Sequence, residues 1–409
     1  MFGALLISIA SFFVALLFLM LAPMATRDEG NLSKITEPFR YNLIKWETSH
    51  FFDKWVYAYR FRNNEGESVL ANKNTYLTDF SELSRNIKVL EDELSSLLSS
   101  VDQANTKELT SIRNELVGLK LSQSYLEPYV ERIYEQTINE ALVDLGVIDQ
   151  IGPFNWPPVD FAFEKGALLL VRSPKNKIER LDDVLLKPNI ELLSQIQIEN
   201  AVESSDPNLS ALIIRIGGLA TYPSQVSPYL SPLNTLEMIA HEWAHHWLFF
   251  RPLGKKWWAG GDIRTINETV AGIVGSEVSA QANSKLEIKS VTSSQTQPSK
   301  IDFDFRGFML DTRLKLEDLL DKGLVKESED WLEKRRTKLL DHGIEIRKLN
   351  TAYFAFYGSY AADPRSGEKS PLLEQIEKVR SNSSDLANFL EVISQVTTAE
   401  ELEKLAENK

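Results

Sequence analysis

The chain of 409 residues has no cysteine, which excludes a disulfide scaffold, thiol catalysis and any metal site built on sulfur. Histidine is scarce, at five residues, so its placement carries information. Positive charge is in short supply: 45 Lys and Arg stand against 58 Asp and Glu, a net charge of −13. That balance speaks against a nucleic-acid partner, which calls for a basic face. No solenoid-scale repeat and no low-complexity tract is present. With 43% hydrophobic and 25% charged residues, the composition is that of a folded protein, not of a disordered or collagen-like chain. The length calls for roughly two or three units.

Long apolar runs are missing except for one. Phe2 to Ala22 is interrupted only by Ser8 and Ser11. About 20 apolar residues cross a hydrocarbon core, whereas the apolar stretch of a signal peptide is about 7–15 residues. The expectation is a transmembrane anchor over residues 1–25. It makes the chain a single-pass membrane protein with its soluble part on the extracytoplasmic side. Orientation is weakly encoded, because no Lys or Arg precedes the run and only Arg27 and Lys34 follow it closely.

Residues 26–150 form the next unit. Its first half is mixed and aromatic, with Phe51, Phe52, Trp55, Tyr57, Tyr59 and Phe61. From Phe80 onward Leu83, Ile87, Leu90, Leu94, Leu97 and Val101 step by fours and threes, the 3.5-residue period of a coiled-coil seam. The seam slips near Asp102 and resumes at Leu109, Ile112, Leu116 and Leu119. Two helices folded back on each other or one longer stuttered coil both fit, as does an amphipathic helix covering a domain. Residues 83–119 are thus a candidate surface for self-association.

Residues 151–290 change texture. Val159–Phe163 and Ala167–Val171 flank Glu164-Lys165-Gly166 and read as a β-hairpin. A strand over Ala211–Ile216 closes on Gly217-Gly218. Ser231-Pro232 then opens a helix, with Ser as cap and Pro at the first helical position. Residues 284–300 read as a linker. Residues 300–409 are helical and are expected to complete a cleft. The fold class is α+β, mostly helical, with a small sheet.

Three of the five histidines fall in His241-Glu242-Trp243-Ala244-His245-His246. His241 and His245, four apart on a helix, lie one turn apart on one face and can share an ion. Glu242 is placed to reach a water on that ion rather than the ion itself. His246 points about 100° away from His245 and is not read as a ligand. His50 has no partner in the sequence pattern. Zinc in a catalytic site needs a third protein ligand and an open position. Glu268, on a second helix starting near Asp262 or Thr265, is the candidate. Pro252, Gly254, Gly260 and Gly261 let the chain turn back, and Ala271, Gly272, Gly275 and Ser276 permit close helix approach.

With His241, Glu242, His245, Asn267 and Glu268 in this order, the chain resembles the gluzincin superfamily of zinc metallopeptidases. The similarity covers roughly residues 210–280. It implies a zincin-like catalytic domain, Zn2+ as cofactor and a peptide or protein as substrate. It also implies that Gly218, Leu219 and Ala220 belong to an edge strand receiving an extended peptide. An oxyanion donor from the C-terminal region is implied as well; Tyr353, Tyr357, Tyr360 and His342 qualify, and Tyr360 is preferred. Leu349–Pro364 resembles a group of predicted bacterial aminopeptidases in the same superfamily. The chain departs from the pattern at Gly272, where many members carry an Asp that hydrogen-bonds a ligand histidine; Asn267, Glu277 and Asp262 are possible substitutes. The competing expectation is a non-catalytic membrane-tethered scaffold with a relic fold, against which the intact Glu242 argues.

Overall fold

The computed structural model describes residues 30–46, 49, 69–99, 106–151, 154–286, 303–360, 362–367 and 370–407. The expected membrane anchor, the aromatic stretch after it and His50 lie outside these residues. Among the described residues no helix is long and apolar enough to cross a membrane. The architecture is α+β and mostly helical, as the sequence suggests.

A short helix, α1 (Gly30–Thr36), precedes two long ones, α2 (Lys73–Ser99) and α3 (Thr106–Asp144). The long helices run antiparallel. Gln123 Nε2 donates to Ser84 Oγ at 2.8 Å, and Lys120 pairs with Glu91 at 2.5 Å. Of the alternatives for the heptad seam, the folded-back pair is the one formed. Ile87, Ile112 and Leu116 are buried between the helices, with Leu90, Leu94, Leu97 and Leu119 at the margin. Helix α3 outlasts its partner because its second half has other work. There Val130, Ile133, Ile138 and Leu142 are fully buried against the helices that carry the histidines.

Eight short strands follow: β1 (Asp149–Ile151), β2 (Phe154–Trp156), β3 (Phe161–Phe163), β4 (Leu168–Pro174) and β5 (Val184–Leu186), then, after helix α4 (Leu192–Ser205), β6 (Leu209–Arg215), β7 (Gly218–Leu219) and β8 (Ser224–Val226). β1 and β2 form a small antiparallel pair. The order β3-β8-β7 makes one sheet, and the antiparallel order β5-β4-β6 makes another.

The expected hairpin over residues 159–171 does not form. β3 instead pairs in parallel with β8, and the Glu164 amide extends that pairing to the Val226 carbonyl at 3.0 Å. β4 belongs to the second sheet. The cause is burial on both sides. Phe161 and Phe163 enter the helical core, where Phe163 stacks on Phe80 at 4.6 Å and meets Tyr134 at 6.4 Å. Leu168 and Leu170 then face one core of the second sheet, and Leu169 and Val171 face another. Gly166 stands where the chain changes sheets, since a Cβ there would overlap the Ile216 carbonyl.

The remaining helices are α5 (Pro232–Phe249), the short α6 (Pro252–Lys255), α7 (Gly261–Leu286), α8 (Phe305–Asp321), α9 (Val325–Asp341), α10 (Thr351–Tyr357), α11 (Pro371–Asn382), α12 (Leu386–Ile393) and α13 (Ala399–Glu407). Residues 284–286, read as the start of a linker, are the last residues of α7. Besides the cluster inside the α2–α3 hairpin, three apolar cores form among the described residues. The largest joins α3, α5, α7 and α11–α13. A second lies between one face of the antiparallel sheet and α8–α10, and a third lies between its other face and α4, with α1 at the margin. The buried Glu199 fixes α10 to this sheet: it accepts from the Ile213 amide at 2.6 Å and pairs with Arg347 at 2.5 Å. Asn350, which caps α10, also donates to the Ala211 carbonyl at 3.1 Å. This anchoring matters because Tyr360 follows α10 directly.

Candidate metal centre

Helix α5 begins as its sequence dictates. Ser231 caps it by accepting from the Asn234 amide at 3.3 Å, and Pro232 occupies the first helical position. Leu236, Ile239, Ala240, Trp243 and Trp247 bury its apolar stripe. The Trp243 indole is anchored to the Pro157 carbonyl at 2.9 Å. The other stripe carries His241 and His245. Helix α7 packs alongside, and the approach is close at Gly275, where a Cβ would come within 2.9 Å of the Glu237 carbonyl oxygen and 3.3 Å of His241 Cβ. Gly272, also named for close approach, has open space around it.

These two helices bring His241, His245 and Glu268 together. The two Nε2 atoms lie 3.1 Å apart, and each is 3.4 Å from Glu268 Oε2. Zinc bound tetrahedrally at about 2.0–2.1 Å per ligand separates its donors by about 3.3 Å. The triangle therefore has the dimensions of one face of such a site. Glu268 Oε2 is buried and faces the two imidazole nitrogens without a well-aligned hydrogen bond to either, a disposition that leaves it able to accept a cation. Among the described residues this is the one cluster of His, Asp and Glu whose ligand atoms converge closely enough to hold an ion. Two imidazoles and one carboxylate suit zinc and other divalent transition metals alike.

Charge follows the geometry. Burial alone would raise the Glu268 pKa, but His245 and His241 outweigh it and hold the carboxyl far below its usual range. Burial opposes charging of His245 too, yet Glu268 wins and pushes its pKa up to about 9. Glu268 and His245 thus favour each other's charged forms. His245 Nδ1 donates to Asn267 Oδ1 at 2.9 Å, which leaves Nε2 as the nitrogen turned toward His241 and Glu268. Asn267 therefore supplies the support that Gly272 cannot. Glu277, another possible substitute, is instead paired with Arg380 at 2.7 Å, and Asp262 is exposed at the start of α7.

Glu242 is buried beside the two histidines. Burial raises its pKa above the ordinary carboxyl value, against the pull of His241 and His245. Its side chain lies against Gly218 of β7, where a Cβ would overlap Glu242 Oε1. β7 is the outer strand of its sheet, so Gly218 and Leu219 present an edge; Ala220 follows just beyond the strand. His246, as expected from its direction, is not in the cluster. Burial lowers its pKa to about 4, and its neutral ring donates from Nε2 to the Thr221 carbonyl at 2.8 Å. It thereby fastens the segment after β7 to α5.

The C-terminal candidates separate clearly. Tyr360 lies within electrostatic reach of Glu268 and Glu242; burial and these carboxylates push its phenol well above the ordinary range, so it remains a donor. Tyr353 and Tyr357 pack on each other at 4.6 Å, and the Tyr357 hydroxyl accepts from Arg365. His342 ends α9 and stacks on Phe303 at 4.3 Å.

Sequence reasoning missed a group beside these residues. Arg180 and Asp183, from the segment between β4 and β5, form a doubly bonded pair with contacts of 2.7 and 3.0 Å. Arg264 lies 4.0 Å from Asp183 and stands one helical turn before Glu268. That one-turn offset was the available signal. No protein family, curated protein or solved structure matches the chain.

Proposed function

We propose that this chain is a zinc-dependent metallopeptidase of the gluzincin type, held at a membrane by residues 2–22 with its soluble part on the extracytoplasmic side. The observation that carries this reading is the triangle of His241, His245 and Glu268, with the buried Glu242 beside it. Zinc held by that set would supply Lewis acidity, bringing the pKa of a water toward neutrality and polarising a scissile carbonyl.

The chain's own residues do the rest. Glu242 takes the proton of the attacking water and passes it to the leaving amine; a carboxyl raised by burial suits that role. Tyr360, kept protonated, donates a hydrogen bond to the developing oxyanion. The outer edge of β7, at Gly218 with Leu219 in the strand and Ala220 bordering it, receives an extended peptide backbone. Asn267 holds the His245 ring in its coordinating orientation.

The test is direct. Zinc-loaded protein is expected to hydrolyse peptides from a mixed library, read by mass spectrometry. Glu242→Gln is expected to keep the zinc and lose hydrolysis; undiminished cleavage by that variant overturns the mechanism. The scaffold reading has one observation in its favour. Val89, Val117, Leu121 and Tyr125 are exposed on the α2–α3 hairpin, and self-association would use these positions because the seam packs within the hairpin. Protein that binds no zinc, cleaves nothing and self-associates through that face would decide for it.

A further inference from the structure

Arg264 is a half-buried cation with few partners. Its side chain is 16% exposed, and its Nε atom has no hydrogen-bond partner. The guanidinium rests on the Trp257 ring at 4.7 Å. Its ion-pair contact, Asp183 Oδ2 at 4.0 Å, is an oxygen already bonded by Arg180 at 2.7 and 3.0 Å. Arg180 also donates to Ser359 Oγ at 3.3 Å and lies over the Phe356 ring at 4.9 Å. The group of two arginines and one aspartate therefore carries one positive charge in excess. Burial first, then the like charge of Arg180, lowers the pKa of Arg264, which is the mark of an under-compensated cation.

The place of this excess charge is informative. Arg264 and Glu268 are four apart on α7, so their side chains leave the same face about 5–6 Å apart at Cβ. Tyr360 lies within electrostatic reach of Arg180, Arg264 and Glu268. The cluster thus adjoins the metal triangle on the side formed by the β4–β5 segment and the residues after α10. If Glu268 is committed to zinc, as the proposed function requires, Arg264 keeps no anionic partner nearer than Asp183. A guanidinium fork with free donors binds carboxylates in two-point fashion.

We infer that Arg264, backed by Arg180 and Trp257, is a subsite for a substrate carboxylate within a residue or two of the bond cleaved. The carboxylate has two sources: the peptide's own C-terminus, which makes the enzyme a carboxypeptidase, or an Asp or Glu side chain. This inference rests on the metallopeptidase reading for its substrate class, but the charge imbalance does not depend on catalysis.

Three kinds of probe separate the outcomes: acetyl-Ala-Ala-Phe-Ala as the free acid, the same peptide as its C-terminal amide, and the four amides in which Glu replaces one residue. Each is titrated calorimetrically against zinc-treated Glu242→Gln protein, and each is assayed for hydrolysis by the wild type. The free acid, or one of the Glu amides, is expected to bind at least about tenfold more tightly than the neutral amide. Preference for the free acid identifies the C-terminus as the source; preference for a Glu amide identifies a side chain. Arg264→Gln is expected to collapse the ratio, and Arg264→Lys to restore part of it, a pattern that a merely structural arginine would not give. Equal binding of all three kinds of probe, or an undiminished ratio in Arg264→Gln, overturns the inference whether or not the wild type hydrolyses them. Binding discrimination without hydrolysis of these probes, or of the same peptides with a free N-terminus, by the wild type would keep the subsite and refute the peptidase.

Discussion

The two walls of the site are built in opposite ways. On one side, α5 and α7 supply His241, Glu242, His245, Asn267 and Glu268 from two neighbouring helices. On the other, Arg180 comes from between two strands and Tyr360 from the end of a helix in the C-terminal region. The first wall is positioned by helix periodicity and one close contact at Gly275. The second depends on the antiparallel sheet, on Glu199 holding Arg347 and on Asn350 capping α10. The first wall is expected to withstand local damage elsewhere in the molecule, and the second to feel the whole of the C-terminal packing.

Substitutions can break that comparison. The largest effect is expected for Glu242→Gln, a fall in kcat of about 10^2–10^4 with zinc retained, since a general base contributes about that factor. Peptidase assays alongside metal analysis check it. Gly218→Ala follows. The new methyl group overlaps Glu242 Oε1, and a displacement of roughly 1 Å costs about 10^2-fold in rate. An equal kcat for this variant would show that β7 does not confine the carboxylate. Asn267→Ala is expected to weaken zinc binding by about 10–100-fold, the usual loss when a ligand's supporting partner is removed, as measured by competition with a chromophoric chelator.

The smallest expected effect is a proton count. Without metal the pKa of His245 is about 9, above its value of about 6.5 in the unfolded chain. Its pairing therefore stabilises the metal-free fold fully below about pH 6.5, and the contribution is lost as the pH rises through about 9. Glu268, depressed by the same pairing, contributes above about pH 4.5, and its contribution is lost on acidification below that. Pairing with Glu268 favours the charged form of His245, so zinc binding there is expected to release a proton. Calorimetry in buffers of different ionisation enthalpy is expected to show release of about one proton per zinc; no release would mean that His245 is neutral in the metal-free chain.

The same contrast explains what could be read from the sequence. Ligand spacing on a helix is local, so His241, Glu242 and His245 were legible, and Ser231-Pro232 marked where their helix begins. Glu268 and Asn267 required only the next helix. The turning back of the coiled-coil seam is one of three readings the sequence leaves open, because hydrophobic period encodes neither chain direction nor partner. The hairpin expected near residue 165 failed for a related reason: alternation identifies strands but not their partners, and aromatic burial drew Phe161 and Phe163 into another sheet. Arg180 and Asp183 carry no local signature. Their meaning arises from strand order and from the placement of α10, which depend on pairings far apart in sequence.

The proposed chemistry requires that three side chains from two helices hold one zinc ion. Native mass spectrometry of the zinc-treated protein tests it most directly, comparing the wild type with Glu268→Ala. One zinc per wild-type chain, and loss of that zinc in the variant at matched free-metal concentration, is the predicted result. Undiminished zinc in Glu268→Ala, or none in the wild type, would contradict the account.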